Sequence, residues 1–506
     1  MRQGSTHGGG LMVCGTASDV GKSHMVAGLC RVLVRRGWRV APFKAQNMAL
    51  NSFVTVDGHE IGRAQASQAM AARVEPEVAM NPILLKPTGD RTSQVIVDGK
   101  PSGHLTALEY QGRKAELLAG VLAALDDLRH RFDVVIAEGA GSPAEINLLP
   151  HDIVNLRIAK DAGLPAIIVG DIDRGGVFGA LFGTVSLLPD DYRSLVRGFV
   201  INKFRGDPAL LGDGLAELER RTGVPTLGVI PFTHDLGLDA EDSLALTGRR
   251  PWHSASCRLP RGDGDVLDVA VISFPRISNF TDFDALVLEP AVAVRFVHDG
   301  AGLGRPDLVI LPGSKATVLD LAWLRQVGLD RAVVRCQESG SIVLGVCGGF
   351  EMLGHEIVDH VESDQGEVIG LGSLPVDTIF LAEKVTRQRH GTAWGQTVSG
   401  YEIHHGRVTA RAGAQAWFDL EEGGEGIMSD DGAVLGTNLH GLLDEDGFRS
   451  TFLTHVAERR GKSFSASGLR FGAAREDQFD RLADLLEAHL DLPALDRIMA
   501  DGALPS

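Results

Sequence analysis

Residues 341–350, Ser341-Ile342-Val343-Leu344-Gly345-Val346-Cys347-Gly348-Gly349-Phe350, run from a β-branched apolar stretch into a cysteine framed by glycines, and a helical pattern follows. A sharp turn between strand and helix exposes such a thiol, and the start of the helix favours its thiolate. Gly348 lets the backbone turn without a Cβ clash. Cysteine is usually a core residue, but Gly345, Gly348 and Gly349 make this position a poor core and a good nucleophile. The nucleophile needs a base distant in sequence. His440, in Gly436-Thr437-Asn438-Leu439-His440-Gly441, follows another apolar run and is expected at the same sheet edge. Leu311-Pro312-Gly313-Ser314 also follows a strand pattern, and its amides are candidates to hold an oxyanion beside those of Cys347 and Gly348. His404 and His405, in Gly400-Tyr401-Glu402-Ile403-His404-His405-Gly406, rank second as bases because histidines inside such a segment more often line a pocket.

A second chemical stretch is Gly15-Thr16-Ala17-Ser18-Asp19-Val20-Gly21-Lys22-Ser23, between an apolar strand and a helical pattern. Its backbone N–H groups and the positive helix end suit an anion. The spacing is that of G-x4-G-K-[ST], with Thr16 in the first glycine slot and Gly15 one residue earlier. Gly15, Thr16, Ser18 and Gly21 are the expected phosphate cradle; Lys22 would reach the terminal phosphates and Ser23 would ligate Mg2+. Glu138 closes the apolar run from Asp133 and precedes Gly139-Ala140-Gly141, which makes it the expected metal carboxylate. Asp57, in Val56-Asp57-Gly58-His59-Glu60, is a possible second one. Lys44, in Pro42-Phe43-Lys44-Ala45-Gln46-Asn47, is expected to neutralise phosphate charge, and Asn202 suits an adenine edge. Gly170-Asp171-Ile172-Asp173-Arg174-Gly175-Gly176 is again too polar for plain structure. Taken singly, Lys44 and Asp57 read equally well as turn or surface residues.

These residues need strand ends to carry them. Leu11–Cys14, Arg39–Phe43, Val134–Ala137, Ala166–Val169 and Gly198–Ile201 read as buried strands, with helices over His24–Arg36 and Leu117–Leu128. Apolar, non-alternating strands between helices imply a parallel sheet covered on both faces. The Gly-, Pro- and Arg-rich text at 246–265 reads as a linker between domains at 1–245 and 266–460. The second domain resumes with Val269–Ser273, Leu308–Leu311, Ile342–Gly345 and Ala433–Thr437, and a helical C-terminal segment occupies 461–506.

Composition narrows the class. A chain of 506 residues is too long for one core, and 44% apolar residues suit a globular protein. The 66 acidic against 49 basic residues give a net charge of −17, which disfavours nucleic acid as a partner. No apolar run is long enough to span a membrane, and the start reads as no signal peptide. Five cysteines, an odd number without C-x-x-C, argue against disulfides and a thiolate zinc site and suggest a reducing cytoplasm.

The elbow at Cys347 with His440 resembles the class I (triad-type) glutamine amidotransferases. The shifted loop at 15–23 with Glu138-Gly139-Ala140-Gly141 resembles the dethiobiotin-synthetase-like ATPases. Their fusion in this order is similar to the cobyrinate amidating enzymes, and residues 43–48, 60–65 and 170–176 resemble the branch that makes cobyric acid. The resemblance implies two α/β domains, a P-loop NTPase-like parallel sheet followed by a flavodoxin-like amidotransferase domain. It implies ATP- and glutamine-dependent amidation of the b, d, e and g carboxylates of adenosylcobyrinic acid a,c-diamide, with ATP and Mg2+ as cofactors. An acyl phosphate would form in the first domain and a thioester on Cys347 in the second, with an enclosed path for ammonia. The sister branch acting on the a and c carboxylates, an amidase of another polyacid, and a nucleotide switch with an inert glutaminase-like module are the competing readings. Triad amidotransferases carry a glutamate two residues after the histidine, where this chain has Leu442. The cobyrinate enzymes are similarly altered, and Asp444 and Glu402 are candidates to orient His440.

Overall fold

Short apolar runs become the strands of one parallel and one mixed sheet in the computed structural model, which describes residues 8–89, 91–233 and 265–502. The linker expected at 246–265 lies, but for Asp265, outside the described residues, as does Cys257. The chain divides into two compact units: the first draws on Met1–Met48, Ile61–Glu241 and Arg475–Ser506, the second on Ala49–Glu60 and Asp242–Ala474.

The first unit is a six-stranded sheet of β1 (Gly9–Gly15), β2 (Val40–Phe43), β3 (Val134–Glu138), β4 (Ala166–Asp171), β5 (Val196–Phe204) and β6 (Thr226–Pro231), in the order β6-β5-β4-β1-β3-β2. All its pairings are parallel. The reason the strands do not alternate polar with apolar lies in their two faces. Met12, Ala137, Ile168 and Phe199 pack on one side, while Leu11, Val13, Ile136, Val169 and Val200 pack on the other. Each such fully buried Val, Ile or Leu stabilises by about 1.5–3 kcal/mol. Helix Lys22–Arg35 covers the second face together with Ala483, Leu486, Leu495 and Ile498 from the C-terminal helices. Arg31, buried in that layer, is held by Glu476 at 2.8 Å and lies over the Phe479 ring. On the opposite face the helix expected over Leu117–Leu128 spans Ala107–Arg131. It starts earlier because Thr106 and Glu109 form a reciprocal capping box, with Glu109 accepting from the Thr106 amide at 2.8 Å.

The second unit is built on β7 (Leu267–Ile272), β8 (Val292–Val297), β9 (Leu308–Leu311), β10 (Ile342–Val346), a hairpin of β11 (Val376–Ala393) and β12 (Gln396–Ala410), and β13 (Val434–Thr437). Strands β8-β7-β9-β10-β13 run parallel, and the sheet continues through antiparallel strands Gly423–Met428 and Gln415–Leu420 to β11. Two α/β units are therefore present, as the sequence implied. Among the described residues, no helix is long and apolar enough to cross a membrane.

The sequence reading passes from Ile342–Gly345 to Ala433–Thr437 without the long hairpin. Its turn explains the omission. Trp394 and Gly395 both have positive φ, 50° and 73°, and Ala393 pairs with Gln396, which is a two-residue I′-like turn. Asn-Gly is the usual sequence there. Trp394 accepts the backbone because its ring stacks on Phe448 at 6.0 Å and meets Trp417 at 5.4 Å. Replacing Trp394 by Asn supplies the preferred turn residue but removes the ring. We expect a net loss of about 2 kcal/mol, read from urea unfolding. A gain in stability would mean that turn chemistry outweighs the aromatic packing.

Candidate functional site

The end of β10 delivers Cys347 with φ 50° and ψ −112°, a conformation rare for a residue with a side chain, as the N-cap of helix Gly348–Leu353. Two contacts hold this turn. The Cys347 amide donates to the Thr437 carbonyl at 2.7 Å, and the Gly349 amide donates to the Pro312 carbonyl at 3.1 Å. A Cβ on Gly349 would lie 1.9 Å from the Leu311 carbonyl oxygen, so the helix sits directly on β9 and only glycine fits.

Val346 and Thr437 are register partners, so β10 and β13 end side by side, with His440 three residues past the end of β13. His440 is buried, and its Nδ1 lies 2.7 Å from Oδ2 of Asp282. The other carboxylate oxygen accepts from the Gly441 amide at 3.0 Å. A carboxylate at Nδ1 keeps the proton there and leaves Nε2 as the basic nitrogen. The Tyr401 ring stacks on the imidazole at 5.5 Å, and the backbones of the two residues exchange hydrogen bonds of 2.9 and 3.1 Å. The Gly313–Ser314 backbone borders His440 and the residue that follows Cys347: a Cβ on Gly313 would meet Cε1 of His440 at 3.1 Å, and one on Gly348 would meet the Ser314 nitrogen at 2.9 Å.

Neither expected partner orients His440. Glu402 is taken by Arg387 and, at 3.2 Å, by Arg389; Asp444 closes the short turn Leu442–Asp444. Asp282 does the work from the turn Phe280–Phe283 after β7, and no spacing motif reaches across the intervening sequence. Its one local signal is an acid placed a few residues past a strand end, in Asn279-Phe280-Thr281-Asp282. His404 and His405 are pushed down to about 4 by burial and are neutral at physiological pH. Their Nδ1 atoms face the carbonyls of Gly406 and Leu381.

Buried carboxyls brace the same backbone. Ser314 donates to Asp320 at 2.6 Å, Thr317 to Glu351 at 2.9 Å, and Thr437 and the Asn438 amide to Glu425 at 2.6 and 2.7 Å. Burial raises Asp320 to about 6, Glu425 to about 7 and Glu351 to about 8.

In the first unit, the loop after β1 enters helix Lys22–Arg35 through Gly21, whose φ is 100°. A Cβ there would strike Nδ2 of Asn202 at 2.3 Å. That Asn202 nitrogen donates to the Val20 carbonyl at 2.9 Å, so Asn202 braces the loop. Lys22 donates to the carbonyls of Ala17 at 2.8 Å and Gly141 at 3.3 Å, tying the loop to the glycine turn after β3. Ser23 donates to Glu138 at 2.8 Å, Lys44 pairs with the same carboxylate at 2.9 Å, and Gln68 donates to it at 2.6 Å. Lys22, Ser23, Lys44 and Glu138 thus form one cluster at the end of the loop that begins at Gly15 and Thr16; the Thr16 amide donates to Val169 of β4 at 2.9 Å. Asp57 makes its own contacts. It belongs to the second unit, where Thr55 donates to one of its oxygens and His59 lies 3.0 Å from the other. These contacts hold its carboxyl below the usual range. Among the described residues no three His, Cys, Asp or Glu side chains converge on a metal position. A hydroxyl and one carboxylate beside a phosphate loop remain a suitable pair for magnesium, which takes its other ligands from phosphate and water.

Residues 11–245 match the model of the CobQ/CobB/MinD/ParA nucleotide binding domain, and residues 268–448 match that of the CobB/CobQ-like glutamine amidotransferase domain. The first unit therefore carries a nucleotide-binding domain. A cobyric acid synthase of Streptomyces avermitilis is 52% identical over 98% of this chain and 97% of its own length. One of Rhodococcus jostii is 54% identical over 98% and 96%. A solved glutamine amidotransferase is similar over 38% of this chain and 98% of its own, at 20% identity and a TM-score of 0.31.

Glu351 generates a pH test. Its carboxyl is raised from 4.5 to about 8, first by burial, with the Thr317 hydroxyl opposing. The native state thus holds a proton that the unfolded chain has lost. The stability this contributes is complete below pH 4.5 and is lost as pH rises through 8. Glu351→Gln keeps an uncharged group at every pH. Its stability relative to the wild-type chain should rise by about 1.4 kcal/mol per pH unit across that window. Urea midpoints from pH 5 to 8 that stay parallel would contradict this.

Proposed function

The chain belongs to the cobyric acid synthase family, and from that premise we propose that Cys347 and His440 release ammonia from L-glutamine while the loop at 15–23 holds the ATP that activates the acceptor. The enzyme is a glutamine-dependent ligase of cobalamin biosynthesis. In our reading the acceptor is adenosylcobyrinic acid a,c-diamide. Its b, d, e and g carboxylates become amides to give adenosylcobyric acid, in the reducing cytoplasm that keeps the thiol active. The observation that carries the proposal is the His440–Asp282 pair at 2.7 Å, bordering the same Gly313–Ser314 backbone as the Cys347 elbow.

The sulfur of Cys347 attacks the side-chain amide carbon of glutamine as the thiol proton passes to Nε2 of His440. His440 returns that proton to the departing nitrogen, the C–N bond breaks, and NH3 leaves a thioester behind. Water then cleaves the thioester to glutamate and the free thiol. Amides near Gly348 and Ser314 are the proposed donors to the oxyanion, and Asp282 keeps Nε2 basic throughout. In the first unit Gly15, Thr16, Ser18, Gly21 and Lys22 would hold the ATP phosphates, with Asn202 fixing the loop. Ser23 and Glu138 would hold Mg2+, and Lys44 would add positive charge. Bound Mg2+ supplies charge compensation for phosphoryl transfer. A carboxylate is a poor electrophile, and its phosphorylation makes the acyl phosphate that ammonia displaces. Asp57, engaged by Thr55 and His59, has no part in this reading.

Cys347→Ala should lose glutamine-dependent amidation and keep amidation from added ammonia. Lys22→Ala should lose amidation with either nitrogen source and keep glutamine hydrolysis. Mass spectrometry of the corrinoid counts the amides formed. If the a,c-diamide is unchanged while the unamidated acid gains two amides, the sister reaction replaces this one.

A further inference from the structure

Residues 49–60 lie in the first half of the sequence, yet they pack within the second unit through polar groups that are almost wholly buried. The Ser52 amide donates to Oδ1 of Asn279 at 2.8 Å, and the Phe280 amide donates back to Oδ1 of Asn51 at 3.3 Å. The Ser52 carbonyl accepts from the Tyr401 hydroxyl at 2.9 Å, and the Phe53 ring lies 5.4 Å from that of Tyr401. Gln388 donates to the Val54 carbonyl at 2.9 Å. At the far end Glu60, fully buried, pairs with Lys384 and accepts from the Ser52 hydroxyl at 2.8 Å.

A loop that merely covers a surface keeps its backbone in water. This strap gives a backbone amide and a carbonyl to two residues on either side of His440. Asn279, at φ 49°, starts the turn that carries Asp282, and the Tyr401 ring lies on the imidazole itself. The buried Glu60–Lys384 pair fixes the strap in one seat, since a slip would strand two charges away from water.

We propose that the strap Ala49–Glu60 positions the base of the thiol site, gripping Asp282 through Asn279 and His440 through Tyr401. The inference rests on the reading of Cys347 and His440 given above. Tyr401, Asn279, Asn51 and Ser52 are then positioning residues: they touch no reacting atom and act through the imidazole and its carboxylate.

Two variants test this in the full-length enzyme. Tyr401→Phe keeps the stacked ring and removes only the hydroxyl that reaches Ser52. Asn279→Gly tolerates the left-handed backbone and removes only the side-chain acceptor. For each, kcat of glutamine hydrolysis should fall roughly 10- to 100-fold. KM for glutamine should stay within about twofold, and amidation from added ammonia should keep its wild-type rate. Wild-type kcat in both variants would overturn the proposal, as would a raised KM with kcat intact, which would make the strap part of the glutamine pocket. Cys347→Ala, run beside them, separates the two layers. If that variant still hydrolyses glutamine, the reading of the thiol site fails; if it is inactive while the strap variants are normal, only the strap's role fails. Should one variant lose ammonia-dependent amidation through misfolding, the other decides.

Discussion

A carboxylate taken out of water must find donors immediately around it, and that requirement organises both halves of this chain. Glu138 meets it with a hydroxyl, an ammonium and an amide from Ser23, Lys44 and Gln68, which draws three separate segments onto the end of β3. Asp282 meets it with the imidazole of His440 and the amide of Gly441. In each case the acid to which the proposal gives a chemical role is also what ties its neighbours together. Glu138 has the Lys44 ammonium against it. Glu351 and Glu425 are met by hydroxyl and amide donors, Asp320 by a hydroxyl and the Arg276 guanidinium at 3.4 Å, and burial makes all three hold their protons more tightly.

Those three carboxyls brace the backbone around the Cys347 elbow. Each takes a side-chain hydroxyl from a residue that borders the elbow: Ser314, Thr317 or Thr437. Cys347 occupies a strained backbone conformation, and strain persists only where the surroundings over-determine it. The bonds to Thr437 and Pro312 and the contact of Gly349 with Leu311 supply that determination.

The parallel strands were legible in the sequence because both faces of each are apolar, and a doubly buried strand cannot hide that pattern. The elbow and the phosphate loop were legible for a related reason: glycine, lysine and serine at fixed spacing describe a backbone shape. What escaped were partnerships made by long-range folding. Asp282 looks like any loop acid until β7 is set two strands away from β10. Asn202 presents the same groups whether it meets a base or the Val20 carbonyl. Trp394 contradicts the turn it occupies and is tolerated only because Phe448 and Trp417 wait for its ring. Nothing local marks Ala49–Glu60 as foreign to the unit whose sequence surrounds it.

That early excursion of the chain, with the return of Arg475 and the helices after it to the first unit, bears on how such a protein can be divided. A cut in the stretch between the two family matches would look natural on a linear map. The upstream piece would keep a segment whose seat had gone and would lack the helices that cover Arg31; the downstream piece would carry those helices with nothing to cover. The halves are laced rather than strung. A gene of this design is therefore one that recombination can exchange whole but not readily split into freely assorting modules.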